Sequence, residues 1–410
     1  MSGEAVTARA WYDSLRPMRQ PGHEVELLEG GGEFFPALLA AIAAARSEVW
    51  LETYIFSDDP SGRAVAQALA DAARRGLRVH LVVDGFGTPS LGGLAALLQD
   101  GGVRVEVFRP ERQRFALNRK RLRRLHRKLA LIDGAVAFVG GINLLDDLHD
   151  PNHGVLDAPR FDFAVRVRGP LVANVRLAMQ RLWWELSIVN QPSRLLRRQA
   201  RERLLRAVVP VEPVRAEGPL IAMLVLRDNF RFRRTIENQY LRAIGRARRE
   251  VLIANAYFFP GRRMRLALKA AAASGVRVRL LLQGRVEYRL QHWASQAMYD
   301  ELLRAGVEIV EYRPSFLHAK VAVIDDWATV GSANIDPFSL LLAREANVVV
   351  EDAGFAAHLR ARLLAAIASG GVPVVPTRHA QRAWPVRVAQ NAAYLLLRLA
   401  VALSGATADY

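Results

Sequence analysis

Through the first 110 residues, alanine-rich amphipathic stretches alternate with short apolar runs. Residues 33–46 read as a short alanine-rich helix and 48–56 as a strand. Ser61 is placed to cap a second helix that runs to about Arg75 and is closed by Gly76. Residues 79–83 form a further apolar run ending at Asp84 and Gly85, and a helix near 91–99 and a strand over 103–108 follow. Leu129 to Ile132 and Val321 to Ile324 are apolar runs of four that end in an acid and a turn, the pattern of a buried strand. Residues 171–186 read as a helix with Trp183 and Trp184 late in it. Strand and helix in alternation predict an α/β layered fold.

The pattern occurs twice. Residues 48 and 250, 76 and 275, 103 and 307, and 126 and 318 occupy like places, with offsets of 202, 199, 204 and 192. A near-constant offset over four landmarks predicts a duplication, and one fold used twice brings its two copies together about a pseudo-twofold axis. The smaller last offset has a local cause. Pro110 lies sixteen residues before His126, whereas Pro314 lies four before His318, so the first copy carries a twelve-residue insertion. That insertion is basic, holding Arg112, Arg114, Arg119, Lys120, Arg121, Arg123 and Arg124. The predicted division is an N-terminal arm (1–23), a first domain (24–209), a proline-bearing linker (210–219), a second domain (220–375) and an amphipathic tail (376–410).

Charge and composition narrow the partners. A net charge of +17 favours a polyanion, nucleic acid or anionic lipid, without choosing between them. The chain has no cysteine, which removes disulfides and thiolate metal sites. Its nine histidines show no H-E-x-x-H or comparable ligand cluster, so neither a catalytic metal nor another cofactor is expected. No signal peptide is read at the start, and no window offers about twenty uninterrupted apolar residues. Residues 194–206 are basic and amphipathic, and the tail joins Trp384 and Tyr394 to an apolar run broken by Arg398. Either segment is suited to lie on a membrane surface or to cover a domain edge.

The chemistry-bearing residues fall in the duplicated region. His126 and Lys128 are followed by Asp133, and His318 and Lys320 by Asp325, so both copies read H-x-K-x4-D. Each continues into a glycine-rich turn with an amide: Gly140, Gly141 and Asn143 in one, Gly331, Ser332 and Asn334 in the other. On a strand, histidine and lysine two apart share a face. An imidazole beside an ammonium can bind a phosphate oxygen and attack phosphorus or pass a proton there. Asn143, Asn334 and the Ser332 hydroxyl are candidate donors to phosphoryl oxygens. Two histidines permit a double displacement through a phosphohistidine, one attacking and the other handling the alcohol proton. Spacing does not say which attacks.

The repeated H-x-K-x4-D with G-[GS]-x-N resembles the phospholipase D superfamily, and over roughly residues 24–370 the chain is similar to its bacterial cardiolipin synthases, the B type above all. Leu51 to Ile55, Asp84 to Gly87, Arg227 to Asn229, Ile253 to Gly261 and Ala328 to Pro337 share in this likeness. The resemblance implies two tandem α-β-α sandwich domains with one shared active site. It also implies that each histidine is oriented by a carboxylate further along its own half, Asp162 for His126 and Glu345 for His318. By analogy His126 would be the nucleophile and His318 the acid/base. Asp133 and Asp325 belong to the catalytic motif, although relatives usually hold them away from the phosphate. The implied reaction converts two phosphatidylglycerol molecules to cardiolipin and glycerol on the cytoplasmic face of a bacterial membrane. Arg119, Lys120, Arg121, Arg123 and Arg124 would contact anionic lipid. A phosphatidylethanolamine donor would use the same residues. Relatives that cut nucleic acid keep a phosphodiesterase open, but the basic loop carries only Phe115 for base stacking, so no nucleic acid is expected. A scaffold without catalysis is disfavoured by two intact motifs, and oligomeric state is not legible.

Overall fold

Strand and helix alternate through the described residues of this computed structural model, 14–110, 123–150, 153–189, 217–228, 232–337, 339 and 343–403. The first copy runs β1 (Gln20–Gly22), β2 (Glu24–Glu29), α1 (Gly30–Ala44), β3 (Glu48–Thr53), α2 (Pro60–Arg74), β4 (Arg78–Asp84), α3 (Leu94–Asp100) and β5 (Arg104–Phe108). It continues with β6 (Lys128–Ile132), β7 (Val136–Gly140), a small hairpin of β8 (His149–Asp150) and β9 (Gly154–Val155), β10 (Phe163–Arg168) and α4 (Leu171–Val189). The second copy runs β11 (Gly218–Arg227), α5 (Thr235–Arg246), β12 (Glu250–Asn255), α6 (Arg262–Ala273), β13 (Arg277–Gln283), α7 (Arg289–Arg304) and β14 (Glu308–Tyr312). There follow β15 (Lys320–Ile324), β16 (Trp327–Gly331), β17 (Glu345–Glu351), α8 (Ala353–Gly370), β18 (Gly371–Pro373), α9 (Pro376–Ala380) and α10 (Trp384–Leu403).

The two sheets share one strand order. The first is β2-β10-β7-β6-β3-β4-β5, and the second contains β11-β17-β16-β15-β12-β13-β14 in matching places. In each, the strand that follows the histidine is central and antiparallel to its neighbours, while the three strands at the β5 or β14 side run parallel. This is a duplicated α-β-α architecture. One face of the first sheet, with Val49, Leu51 and Leu81, packs under α1, α2 and α3. Its other face, with Leu129, Leu131, Val165 and Val167, meets Val321, Val323, Val348 and Val350 of the second sheet in one continuous core. Alternate side chains of a strand point to opposite faces, so each central strand serves both cores.

Several boundaries differ from those read in the sequence. The residue that caps α2 is Asp59, not Ser61: its Oδ1 accepts the Gly62 N–H at 2.8 Å. Pro60 accounts for this, because proline suits the first helical position and the cap is then the residue before it, two ahead of Ser61. The supposed arm contributes β1, which pairs with β11 as an edge strand of the second sheet through Gln20 and Ala222. Strand β11 begins at Gly218, inside the span taken as linker; residues 194–206 and 210–216 lie outside the described residues. The tail helix α10 docks on α7, burying Ala393 and Leu397 against Phe259, Ala294 and Met298.

Asp133 and Asp325 sit in the turns after β6 and β15 with φ of +52° and +51°, a left-handed conformation that is costly for a residue with a Cβ. Hydrogen bonds offset that cost. Asp133 accepts the N–H groups of Arg46, Ser47 and Glu48 at 2.8, 2.8 and 3.0 Å, and Asp325 those of Arg248, Arg249 and Glu250 at 2.7, 3.0 and 3.0 Å. Each carboxylate thereby ties its turn to the start of β3 or β12. Replacing either with alanine is predicted to cost roughly 2 kcal/mol in denaturant unfolding. A loss under about 0.5 kcal/mol would show that these bonds do not hold the turns.

Candidate active site

The site is built at the seam between the copies by two short parallel β-bridges, Leu125 with Arg344 and Phe161 with Leu317. In the first, the His126 N–H donates to the Arg344 carbonyl at 3.0 Å and the Arg344 N–H to the Arg124 carbonyl at 2.7 Å. In the second, the Phe161 N–H donates to the Phe316 carbonyl at 3.0 Å and the His318 N–H to the Phe161 carbonyl at 2.9 Å. Each histidine strand therefore enters its own sheet only after pairing with the other copy. Two polar side chains at the ends of the parallel strands support the entry. Asp84 accepts the Leu125 N–H at 2.8 Å and Gln283 the Leu317 N–H at 3.1 Å.

The bridges have a consequence that overturns the pairing implied within each half. His126 Nδ1 faces Glu345 at 3.0 Å to Oε1, and His318 Nδ1 faces Asp162 Oδ2 at 2.6 Å. The orienting carboxylates are exchanged between copies, because Glu345 follows Arg344 directly and Asp162 follows Phe161. With Nδ1 held by a carboxylate, Nε2 is the ring nitrogen left to act.

Lys128 and Lys320 are almost wholly buried. Lys128 Nζ donates to the His126 carbonyl at 2.7 Å and Lys320 Nζ to that of His318. Burial, reinforced by the charge of Lys320, brings Lys128 down to about 7. Burial brings Lys320 to about 8 against the opposing pull of Asp162 and Glu345. Both imidazoles are also held below the usual histidine range, first by burial; cations add to this at His318. Burial thus favours neutral imidazoles at the seam, beside two lysines whose charge Asp162 and Glu345 only partly offset. An entering phosphodiester anion would add to that offset.

Other predicted residues divide. Asn143 lines the cleft and accepts the Ile55 N–H at 3.2 Å through Oδ1, which leaves its NH2 free of that bond. Asn334 is buried, with Nδ2 3.4 Å from Ser339 Oγ and Oδ1 unpartnered among the described residues. Ser332 is a correction: its hydroxyl donates to Glu345 Oε2 at 2.5 Å and is fully buried, so it braces the carboxylate and does not face the cleft. Gly141, its counterpart, has no room for a side chain, since a Cβ there would lie 2.3 Å from Asp162 Oδ1. Asp133 and Asp325 are also excluded, because a five-residue strand, about 16 Å long, separates each from its histidine. Arg124 is not a free lipid contact. It lies 3.6 Å from Asp84 and 4.8 Å from the centre of the Phe86 ring. Arg123 is half-buried, and Arg119, Lys120 and Arg121 lie outside the described residues.

The cleft has a volume of about 400 Å³, and Tyr54, Phe86, Asn143, Asp162, Glu287 and His318 are among its lining residues. Sequence reasoning gave no role to Tyr54, whose ring meets His126 edge-on at 5.0 Å, or to Asp84, Gln283, Tyr257 and Glu287. The available signal was positional: Asp84 and Gln283 end corresponding strands. Among the described residues, no three of His, Cys, Asp and Glu come together as ligands for a metal ion.

Comparison with known proteins gives a consistent picture. The family described as cardiolipin synthase, PLD-like domain, matches residues 38–156 and 240–366. Over 365 residues the chain is 38% identical to cardiolipin synthase B of Escherichia coli (strain K12), covering 88% of this chain and 85% of that protein. It is 33% identical over 367 residues to cardiolipin synthase A of Pseudomonas putida, covering 86% and 72%. Among solved structures, phosphatidylserine synthase of Haemophilus influenzae Rd KW20 superposes with a TM-score of 0.70 at 13% identity, covering 96% of this chain and 98% of that one. Polyphosphate kinase of Porphyromonas gingivalis gives 0.57 at 16% identity, covering 93% and 53%. At such identities the two structures speak for the fold alone.

The crossed carboxylates make a testable prediction. Glu345→Gln removes a charge that favours the His126 imidazolium, so NMR titration of labelled histidines should show the His126 pKa falling further and His318 little changed; Asp162→Asn should do the reverse. A Glu345→Gln variant that moved His318 instead would contradict the crossing.

Proposed function

The chain belongs to the phospholipase D-like cardiolipin synthase family, and from that footing we propose that it transfers a phosphatidyl group between two phosphatidylglycerol molecules, releasing glycerol and forming cardiolipin. The observation that carries the reading is the pair of imidazoles at one seam, each with a carboxylate on Nδ1 and a buried lysine two residues on.

In the proposed cycle His126 Nε2 attacks phosphorus and the bond to the headgroup glycerol oxygen breaks. His318 Nε2–H gives its proton to that oxygen. Asp162 and the bound diester anion favour the imidazolium that burial disfavours. A hydroxyl of a second phosphatidylglycerol then gives its proton to His318 and attacks phosphorus, and the P–N bond to His126 breaks. Lys128, Lys320 and the Asn143 amide would hold the non-bridging oxygens, with Asn334 set behind them. The low-dielectric surroundings strengthen those charges, and their placement before substrate arrives avoids reorganisation during reaction.

A membrane surface is the proposed setting, reached peripherally from the cytoplasmic face of a bacterial membrane. Among the described residues no helix is long and apolar enough to cross a bilayer. Several of the large apolar side chains left exposed lie at or beside the cleft. Phe86 and Tyr288 line it, Leu148 precedes β8 and Val155 ends β9, and Val286 and Leu290 lie two residues either side of Tyr288. The outward face of α10 adds Leu395, Leu396 and Leu399, each more than half exposed. Pairing of Arg382 with Asp300 and Gln390 with Gln296 makes α10 antiparallel to α7, so those leucines lie toward the start of α7 beside Tyr288. Exposed Arg387 and Arg398 on the same helix suit anionic headgroups. An apolar rim of this kind favours lipid over nucleic acid as the polyanion that the +17 charge attracts.

With phosphatidylglycerol vesicles, wild type should form cardiolipin and glycerol, and His126→Ala should lower the rate at least about 10³-fold. Absence of cardiolipin from wild type, or equal rates, would contradict the assignment. Replacing Leu395 and Leu399 together with aspartate should sharply reduce co-sedimentation with anionic vesicles while the far-UV spectrum is retained. Unchanged sedimentation would remove α10 from the membrane contact.

A further inference from the structure

Two copies of one fold carry the same histidine and lysine, so where they differ beside the cleft they can distinguish the two sides of the phosphorus. Strand register matches Asp84 with Gln283 and hence Thr88 with Glu287; Ile55 corresponds to Tyr257. In the first copy the polar group is used internally, the Thr88 hydroxyl donating to the Tyr54 carbonyl at 3.0 Å and accepting the Phe56 N–H at 2.9 Å. In the second copy Glu287 lines the cleft together with His318 and Tyr288. Its one hydrogen bond among the described residues comes from the Tyr257 hydroxyl.

A carboxylate is out of keeping with a cleft shaped for an anion. Glu287 lies within the electrostatic reach of Lys320, where it weakens the field offered to a phosphodiester. The neighbouring carboxylates are otherwise engaged: Asp147 accepts the Gly31 N–H, and Asp150 is 2.6 Å from Arg160 and 2.9 Å from His153 Nδ1. Glu287 makes no ion pair among the described residues, and Tyr257 holds one of its oxygens in place.

A carboxylate within reach of Lys320 but not paired with it is suited to neutral hydrogen-bond donors. The cleft has such a ligand on the His318 side if the mechanism above holds. The alcohol that leaves takes its proton from His318, and the alcohol that enters returns one, so both pass through a single subsite. Both are glycerol units with adjacent hydroxyls. We infer that Glu287, oriented by Tyr257, is the specificity-determining residue of that subsite, accepting hydrogen bonds from the hydroxyls of the departing glycerol next to the departing oxygen and from the hydroxyl next to the attacking one in the incoming glycerol headgroup. Glu287 itself exchanges no proton: the entering O–H proton goes to His318 Nε2 as the O–P bond forms and the P–N bond to His126 breaks. The inference rests on the phosphatidyl-transfer reading.

The test is a partition experiment. Phosphatidyl-p-nitrophenol serves as donor, and glycerol and ethanol compete at equal concentration for the phosphatidyl-enzyme. The phosphatidylglycerol to phosphatidylethanol ratio is independent of turnover rate, so a merely structural defect does not move it. Wild type should prefer glycerol. The ratio should fall about tenfold or more in Glu287→Ala, because ethanol never used the lost contact, and by less in Glu287→Gln and Tyr257→Phe. Ratios within twofold of wild type in both Glu287 variants would overturn the inference. A wild type that forms neither lipid would instead defeat the phosphatidyl-transfer reading on which it rests.

Discussion

The exchange of two backbone segments across the seam is the constraint from which the site follows. A pair of parallel bridges fixes Leu125 beside Arg344 and Phe161 beside Leu317. Backbone hydrogen bonds, which tolerate little change in distance or angle, thereby set the relative position of the copies at the point where chemistry is done. The residue after each bridge is a histidine on one side and a carboxylate on the other. Neither copy alone contains a histidine with its orienting acid, so folding of both is a condition for either imidazole to be held. The shared core between the two sheets supplies the apolar burial that keeps this seam closed.

The electrostatics follow from that closure. Burying two lysines and two imidazoles at one seam is unfavourable, and that burial lowers the proton affinities of Lys128 and Lys320. Glu345 and Asp162 offset part of this and align the rings in doing so. The two copies meet the same need in different ways: a longer acid braced by Ser332 in one, and a shorter acid packed against Gly141 in the other. Such differences are where a duplicated site can acquire a direction.

Much of this was legible in the sequence. The duplication, the central strands and the histidine and lysine pairs all follow from spacing and from period-two patterning, which local physics dictates. The crossing of Asp162 and Glu345 was not, because strand proximity along the chain says nothing about which copy a strand end will touch. The same blindness applies to β1, where a three-residue strand in a proline-flanked arm joins the distant sheet. Ser332 was misread for a related reason: a hydroxyl next to a glycine turn could face either the phosphate or the acid behind it, and only packing decides. Asp133 and Asp325 share a motif with the histidines yet serve the turn at the other end of the strand. Motif membership records a common strand, not a common site.

The central claim is that the two copies form one double-displacement site with His126 attacking and His318 serving the alcohol. Its most direct test is chemical trapping. In His318→Ala, a donor with an activated leaving group, phosphatidyl-p-nitrophenol, needs no acid to load the enzyme, while the base that activates an acceptor is missing. Peptide mapping by mass spectrometry under alkaline conditions should then find a phosphatidyl adduct on His126. An adduct on any other residue, or p-nitrophenol release with no adduct at all, would contradict the account.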